Sequence, residues 1–196
     1  MRDPEGTRIK ILEQSARLFN VQGYKATSIS DITTATGLTK GAIYRHFQDK
    51  EDLEEKTFAH LAKGIVMRLQ KVVKEQDNAP DKLKAICAFY EDHVEGLFIE
   101  GGCPMLNAAI ESDDTKAGLK AGVFSLMKTL QEGLWTIIKN GIKYGQIKPE
   151  TDADHYSSLF IATLEGGIMM SKLRGNNKDM ETVLKHLYKI IDEISL

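Results

Sequence analysis

The sequence predicts an all-α protein of about nine helices. Apolar residues recur at helical spacing along most of the chain, and short segments rich in Gly, Pro or Asn interrupt them at intervals. No stretch alternates with the period of a strand. The chain has 196 residues, 42% of them hydrophobic and 28% charged, which is ordinary for a globular protein with a sizeable core.

The first helix is expected from Thr7 to Val21. Its apolar stripe follows helical spacing, and Gly23 stops it. The stripe consists of Ile9, Ile11, Leu12, Ala16, Leu18 and Phe19.

The stretch from Thr27 to Leu53 predicts two short helices and the start of a long one. Ser28 and Ser30 are candidate N-caps of the first, since a side-chain oxygen can accept from free backbone N–H groups. Gly37 marks the turn that follows. Thr39 can cap the second helix, expected over Lys40–Phe47. Asp49 can then cap the long one.

Six further helices are predicted by apolar periodicity and by the breaks between them. Their expected ranges are Lys50 into the seventies, Asp81–Phe98, Pro104–Glu111, Thr115–Lys143, Asp152–Leu173 and Lys178–Ile194.

Two short helices joined by a glycine turn form a helix-turn-helix, whose second helix can enter the major groove of DNA. The outward residues of that helix suit DNA contact, since they include cations (Lys40 and Arg45), small residues (Gly41 and Ala42) and polar tips (Tyr44 and His46). Lys50 adds a cation at the next helix start. On spacing alone, an ordinary helical hairpin with a solvated face remains the alternative.

The charge distribution agrees with DNA contact by the N-terminal part alone. The total is −2, but residues 1–50 hold eight Lys and Arg against five acids, which leaves +3 there and −5 in the remainder. A difference of this size can also arise by chance.

The N-terminal stretch resembles the DNA-binding domain of the TetR/AcrR family of transcriptional regulators. The matching segments are ILEQSARLFNVQGYKATSISDIT and TGLTKGAIYRHFQDKEDL. The resemblance implies a DNA-binding domain over residues 1–50 and a helical ligand-binding and dimerisation domain over residues 51–196. It also implies contacts to base edges or to the DNA backbone by Thr27, Ser28, Thr39, Lys40, Gly41, Ala42, Tyr44, His46 and Lys50.

The remainder resembles one TetR/AcrR subgroup through GGCPMLNAAIESDD, GIKYGQIKPETDAD and LFIATLEGGIMMSKL. The last two helices carry small and apolar residues along one side, which could form a four-helix dimer interface or cap the protomer's own core. The resemblance favours the homodimer. The candidate interface residues are Leu159, Ala162, Thr163, Gly166, Gly167, Met170, Leu184, Leu187, Tyr188 and Ile191.

A helical body with aromatic and Met residues can enclose a small molecule, although such residues at helical spacing are more often core. The candidates are Phe89, Tyr90, His93, Cys103, Met105, Asn107, Phe124, Met127, Trp135 and Phe160. Cys103, next to a helix start, is either a redox sensor or a buried structural thiol.

Nothing in the sequence predicts catalysis, a metal site or a cofactor. No motif places a catalytic triad or a phosphate-binding loop, and the histidines lack metal-ligand spacing. The two cysteines are too few for a disulfide framework, and the polar start and the absence of a long apolar run favour a cytoplasmic protein.

These observations predict a ligand-responsive DNA-binding regulator. The expected form is a homodimeric repressor, released from a palindromic operator by an unidentified small molecule. An all-helical small-molecule-binding or interaction protein without DNA binding is the alternative, and a helical enzyme is a third possibility that no sequence feature supports.

Overall fold

The computed structural model describes residues 3–94, 100–112 and 116–196, with the backbone alone for residues 92–94. Within these ranges the chain forms nine helices and no strand, which confirms the predicted class. The helices are α1 (Pro4–Gln22), α2 (Ile29–Thr36), α3 (Lys40–Ile43), α4 (Lys50–Lys74), α5 (Ala79–Val94), α6 (Pro104–Ser112), α7 (Ala117–Lys143), α8 (Ala153–Arg174) and α9 (Lys178–Ile194).

The predicted start of α2 and its end are confirmed by their backbone geometry. The Ser28 N–H donates to the Asp31 carboxylate over 2.7 Å, and the Asp31 N–H donates to Ser28 Oγ over 3.2 Å. This reciprocal capping box satisfies two helix-terminal donors. Gly37 then leaves the helix with a φ of 70°, which a residue without a side chain adopts at low cost.

Helix α3 is shorter than the sequence predicted. The expected range Lys40–Phe47 is wrong in length, because only Lys40–Ile43 is α-helical. The His46 N–H instead bonds the Ile43 carbonyl, three residues back, so the chain tightens into turns. Ile43 and Phe47 are nevertheless both buried, as their spacing predicted.

The chain forms two compact units, and neither is continuous in sequence. The first unit contains residues 1–64 and 99–126, and the second contains residues 65–98 and 127–196. The functional division at residues 50 and 51 stays a prediction, since these packing boundaries fall elsewhere.

The first unit is built around α1. Helix α1 packs against α2 and α6, and α2 packs against α3. The rings of Phe19 and Tyr24 stack with centroids 4.8 Å apart. The buried apolar side chains of this unit include Ile11, Leu12, Ile32, Ile43, Phe47, Leu53 and Phe58. This core supports the exposed side of α3.

The second unit is built around α9, which packs against α5 and α8. At Gly167 an added Cβ would lie 2.9 Å from Met180 Sδ and 3.2 Å from Val183 Cγ2, so α8 and α9 approach each other closely here. No helix in the described ranges is both long and apolar enough to cross a bilayer.

Part of the predicted dimer interface is instead protomer core. Leu184, Leu187 and Ile191 are buried within the second unit, as is Gly167. Tyr188 is half-buried. The apolar stripe of α9 is satisfied by α5 and α8 of the same chain, so the prediction of these buried residues as intersubunit contacts is wrong.

Candidate nucleic-acid interface and cavity

The outer side of α3 presents the side chains that the sequence singled out. Thr39, Lys40, Gly41 and Tyr44 are exposed, and the Lys40 ammonium lies 5.8 Å from the Tyr44 ring centroid. A Cβ added to Gly41 would meet no atom within 4 Å. The small size of Gly41 is therefore not required by packing within the protein.

Two predicted contacts are wrong at the level of the side chain. Thr27 is fully buried, and its hydroxyl donates to the Gly23 carbonyl over 2.7 Å. Ala42 lies next to Ile43 on the inner side of α3 and is also buried. Helical geometry turns the residue after Gly41 toward the core, so the Ala42 side chain does not face outward.

Ser28 and His46 lie at the margins of the exposed side. Ser28 is exposed, but its hydroxyl donates to the Asp31 carboxylate. This bond and the Ser28 backbone N–H hold the pKa of Asp31 below its usual range. The His46 ring is half-buried, 6.4 Å from the Phe47 ring.

Lys50 makes contacts that the sequence did not predict. Its Nζ donates to the Tyr24 carbonyl over 2.8 Å and lies 3.3 Å from Glu54 Oε1. Its side chain keeps 32% of its exposure. The predicted phosphate contact would therefore require Lys50 to exchange an acceptor within the protein for one on DNA.

Glu54 is a buried carboxylate between two cations. Lys116 Nζ lies 2.5 Å from its Oε2, while Lys50 lies near its Oε1. The Lys116 ammonium also lies 5.9 Å from the Tyr24 ring centroid. Burial, and then the carboxylates of Glu54 and Glu111, raise the pKa of Tyr24 well above its usual value.

Helix α6 holds the turn between α1 and α2. The Glu111 carboxylate accepts the Tyr24 N–H over 3.0 Å and the Lys25 N–H over 2.9 Å. A Cβ at Gly23, where φ is 94°, would lie 2.8 Å from Glu111 Oε1. The turn thus leaves room for the carboxylate of Glu111, which lies on α6 more than eighty residues further along the chain.

Asn107 also joins α6 to α1. Its Nδ2 donates to Asn20 Oδ1 over 3.0 Å and to the Gly101 carbonyl over 3.1 Å. Asn20 Nδ2 in turn donates to the Glu100 carbonyl over 2.7 Å. The amide donors of Asn107 thus already bond the protein itself, and its role in ligand binding stays a prediction.

A cavity of about 380 Å³ lies within the second unit. Its walls come from α4, α5, α7 and α8 and are mostly aliphatic. The lining residues are Val66, Leu69, Gln70, Val73, Ile86, Tyr90, Thr129, Leu130, Glu132, Gly133, Leu134, Thr136, Ile137, Ile161 and Leu164.

Comparison with known proteins agrees with this architecture. Residues 11–56 match the family described as bacterial regulatory proteins, tetR family, and residues 79–187 match the tetracyclin repressor-like C-terminal domain. Together these two matches cover most of the chain. The chain belongs to the TetR family.

Solved structures of family members cover the whole chain. A TetR transcriptional regulator from Chloroflexus aurantiacus J-10-FL is 38% identical, with a TM-score of 0.94 over 100% of this chain and 98% of that one. The corresponding regulator from Cytophaga hutchinsonii is 33% identical, with a TM-score of 0.93 over the same shares.

The transcriptional repressor KstR2 of Mycolicibacterium smegmatis is 24% identical over 155 residues, 77% of this chain and 72% of that protein. TetR-family proteins are transcriptional regulators rather than enzymes, they bind operator DNA, and they work as dimers. This chain is accordingly a ligand-responsive, DNA-binding regulator.

In this TetR-family regulator, Tyr90 is the only cavity-lining residue among the predicted ligand-binding residues whose side chains the structure describes. Cys103, Met105 and Phe124 belong to the first unit, where Cys103 and Met105 are buried and Phe124 is exposed. Burial of Cys103 agrees with a structural thiol.

The remaining candidates of the second unit whose side chains are described also lie outside the cavity lining. Phe160 is fully buried and Met127 is half-buried. Phe89 and Trp135 line two separate surface grooves. The side chain of His93 lies outside the described residues.

The cavity residues that the sequence did not predict are mainly aliphatic. Val66, Leu69 and Val73 of α4 line the cavity together with Leu130 and Leu134 of α7. Their helical spacing was visible, but it identifies a buried stripe without telling a packed core from a cavity wall.

Helix α8 retains an exposed side in the isolated protomer. Ala162, Gly166, Met169, Met170 and Leu173 recur every three or four residues on it, and all but the half-buried Gly166 are exposed. A Cβ at Gly166 would meet nothing within 4 Å. Among the predicted interface residues, Leu159 and Thr163 are half-buried beside this face.

Proposed function

We propose that this TetR-family regulator is a repressor that binds a palindromic operator as a homodimer and is released by a small molecule. The observation that supports DNA binding most directly is the outer side of α3. There, cationic and polar side chains surround a glycine whose missing side chain leaves open space. A helix of this kind can approach the edges of bases closely.

The residues divide by the part of DNA they would contact. Thr39, Lys40 and Gly41 would face base edges in the major groove. Tyr44, His46 and Lys50 would contact phosphates, and Ser28 would approach the backbone from α2. Thr27 and Ala42 are left out of this proposal because both side chains are buried.

The dimer would form through the exposed side of α8. Ala162, Gly166, Met169, Met170 and Leu173 offer small and apolar surface on which a second copy can pack closely. Twofold symmetry would place the two DNA-binding domains on half-sites one DNA turn apart, roughly 34–36 Å, or a multiple of that spacing.

The cavity within the second unit is the proposed effector site. Its aliphatic walls suit a largely apolar molecule, and Gln70, Tyr90 and Thr136 can orient polar groups on it. An effector would release the operator only if it binds more tightly to a state of the dimer that does not fit the half-sites.

The test is binding of the purified protein to its own upstream DNA, titrated with salt and compared with a scrambled duplex. Sequence-selective binding at two protomers, or a multiple, per site is expected. Tyr44→Phe should weaken binding to every duplex, whereas Lys40→Ala should change the sequence preference. If both variants keep the wild-type affinity and preference on a selected operator, the proposed DNA-binding face is wrong.

The effector site is tested by filling the cavity. Leu134→Trp places a large ring where the described cavity lies. A compound found to release the wild-type protein from its operator should then fail to release this variant, which should still bind the operator. Equal release of both proteins would place the effector elsewhere.

A further inference from the structure

Lys50, the proposed phosphate ligand at the start of α4, shares the buried carboxylate of Glu54 with Lys116. We infer that Lys116 is a positioning residue for operator binding, because it neutralises Glu54 and so leaves Lys50 free to move to a DNA phosphate. The inference rests on the proposed function, in which Lys50 contacts DNA.

The two cations hold Glu54 in different ways. The Glu54 side chain is only 2% exposed. Its Oε2 is hydrogen-bonded to Lys116 over 2.5 Å. Its Oε1 lies 3.3 Å from Lys50 but has no hydrogen-bond partner among the described residues. Lys116 therefore makes the closer contact, and Lys50 contributes charge without a bond.

Among the described residues, the only hydrogen bond of the Lys50 side chain goes to an uncharged acceptor, the Tyr24 carbonyl, at 2.8 Å. Exchanging a carbonyl for a phosphate oxygen gains a charge-assisted hydrogen bond, which is the stronger kind. With Lys116 in place, this exchange leaves Glu54 paired. Lys50 can then leave at little cost.

Removal of Lys116 would reverse this balance. Lys50 would be the one cation left beside Glu54 among the described residues, and its departure would leave a buried carboxylate uncompensated. An unpaired buried charge is strongly unfavourable. Lys50 would therefore stay with Glu54 and contribute little to phosphate binding.

The position of Lys116 makes this arrangement suitable for regulation. Lys116 is 62 residues from Glu54 in sequence and directly precedes α7. Tyr24 contacts three of the charged residues around it. Its carbonyl accepts from Lys50, its N–H donates to Glu111, and its ring lies near the Lys116 ammonium. A change that withdraws Lys116 would thus weaken phosphate binding without touching DNA.

The experiment measures operator affinity of the full-length protein as a function of salt concentration. Lys50→Ala should lower the slope of log K against log salt by about one per half-site. Lys116→Met should lower it by the same amount and weaken binding roughly tenfold per half-site, the scale of one lost hydrogen bond to a charged group. The double variant should lose no more slope than either single variant.

Three further variants separate positioning from general damage. Lys116→Arg keeps the cation and should keep the slope. Adding Glu54→Gln to Lys116→Met removes the charge that holds Lys50, so the slope should return. Lys63→Met makes the same charge change at an exposed position of α4 and should leave the slope unchanged. Thermal unfolding and oligomeric state verify that each variant is folded.

The outcomes distinguish this inference from the proposed function. If Lys50→Ala lowers the slope but Lys116→Met does not, the positioning role is overturned and the DNA contact stands. An unrestored slope in the Lys116→Met, Glu54→Gln variant also overturns it. If Lys50→Ala leaves the slope unchanged, Lys50 is not a phosphate ligand, and the inference fails together with that part of the proposed function.

Discussion

At the scale of single residues, Gly41 and Gly37 lie close together in the helix-turn-helix and differ in one physical respect. Neither would place an added Cβ within 4 Å of another atom, but Gly37 has a φ of 70°. Gly41 lies within the helical turn of α3. Backbone conformation explains Gly37, whereas the proposed close approach of DNA would explain Gly41.

Gly41→Ala should therefore stabilise the free protein and weaken operator binding. Replacing a helical glycine gains up to about 1 kcal/mol in the free energy of unfolding, while the new methyl group would occupy space that the proposed function assigns to DNA. Gly37→Ala is the matched control and should destabilise by about 1–2 kcal/mol, because its conformation is left-handed. Chemical denaturation and operator titration measure both effects, and unchanged operator affinity in Gly41→Ala would contradict the assignment.

Cys87 provides a test of burial in the second unit. Desolvation raises the pKa of this thiol from 9.0 to about 12, so its thiolate fraction at neutral pH is about a thousandfold smaller. In a Cys103→Ser background, a thiol-specific reagent should label the folded protein at least roughly a hundredfold more slowly than the denatured chain. Equal rates would show that Cys87 is accessible.

The raised pKa of Cys87 also predicts how the stability of the protein changes with pH. The folded protein binds the Cys87 proton more tightly than the unfolded chain does. Its contribution to the free energy of unfolding is therefore fully present below pH 9 and is lost as the pH rises toward 12. Cys87→Ala should make stability fall less steeply over that range in denaturation experiments at several pH values.

At the scale of elements, α6 stabilises the turn between α1 and α2 through Glu111. Glu111→Ala leaves the Tyr24 and Lys25 N–H groups without their carboxylate and should cost about 2 kcal/mol. Amide hydrogen exchange at Tyr24 and Lys25 should accelerate more than exchange within α1 does. Glu13→Ala, an exposed change of equal charge on α1, is the control and should leave both amides protected.

At the scale of the whole molecule, the exposed side of α8 determines the predicted assembly. Leu173 is 80% exposed in the protomer, and Met170 shares its side of the helix. Because each copy buries the same patch in a twofold interface, Leu173→Glu would bring in two charges at once. The dimer dissociation constant should rise at least roughly tenfold, as measured by analytical ultracentrifugation. Met67→Glu is the control, since it replaces an exposed methionine of α4 and should leave the dimer intact. Loss of the dimer in Met67→Glu but not in Leu173→Glu would place the interface elsewhere.

Much of the fold and the exposed side of α3, the candidate DNA-binding site, followed from sequence. The order of the helices, the caps at Ser28 and Thr39, the turn at Gly37 and the family were all predicted, and the structure and the comparisons confirm them. These features depend on interactions within a few residues, where periodicity and capping chemistry operate. The exposed residues of α3 were visible for the same reason.

Tertiary packing decided the remainder. It buried Thr27 and Ala42, directed the apolar stripe of α9 into its own protomer, and left aliphatic rather than aromatic side chains around the cavity. It also paired Lys116 with Glu54 and placed Glu111 against Tyr24. Each of these outcomes joins segments tens of residues apart. Sequence periodicity shows which side of a helix is buried, whereas the three-dimensional arrangement selects the partner that buries it.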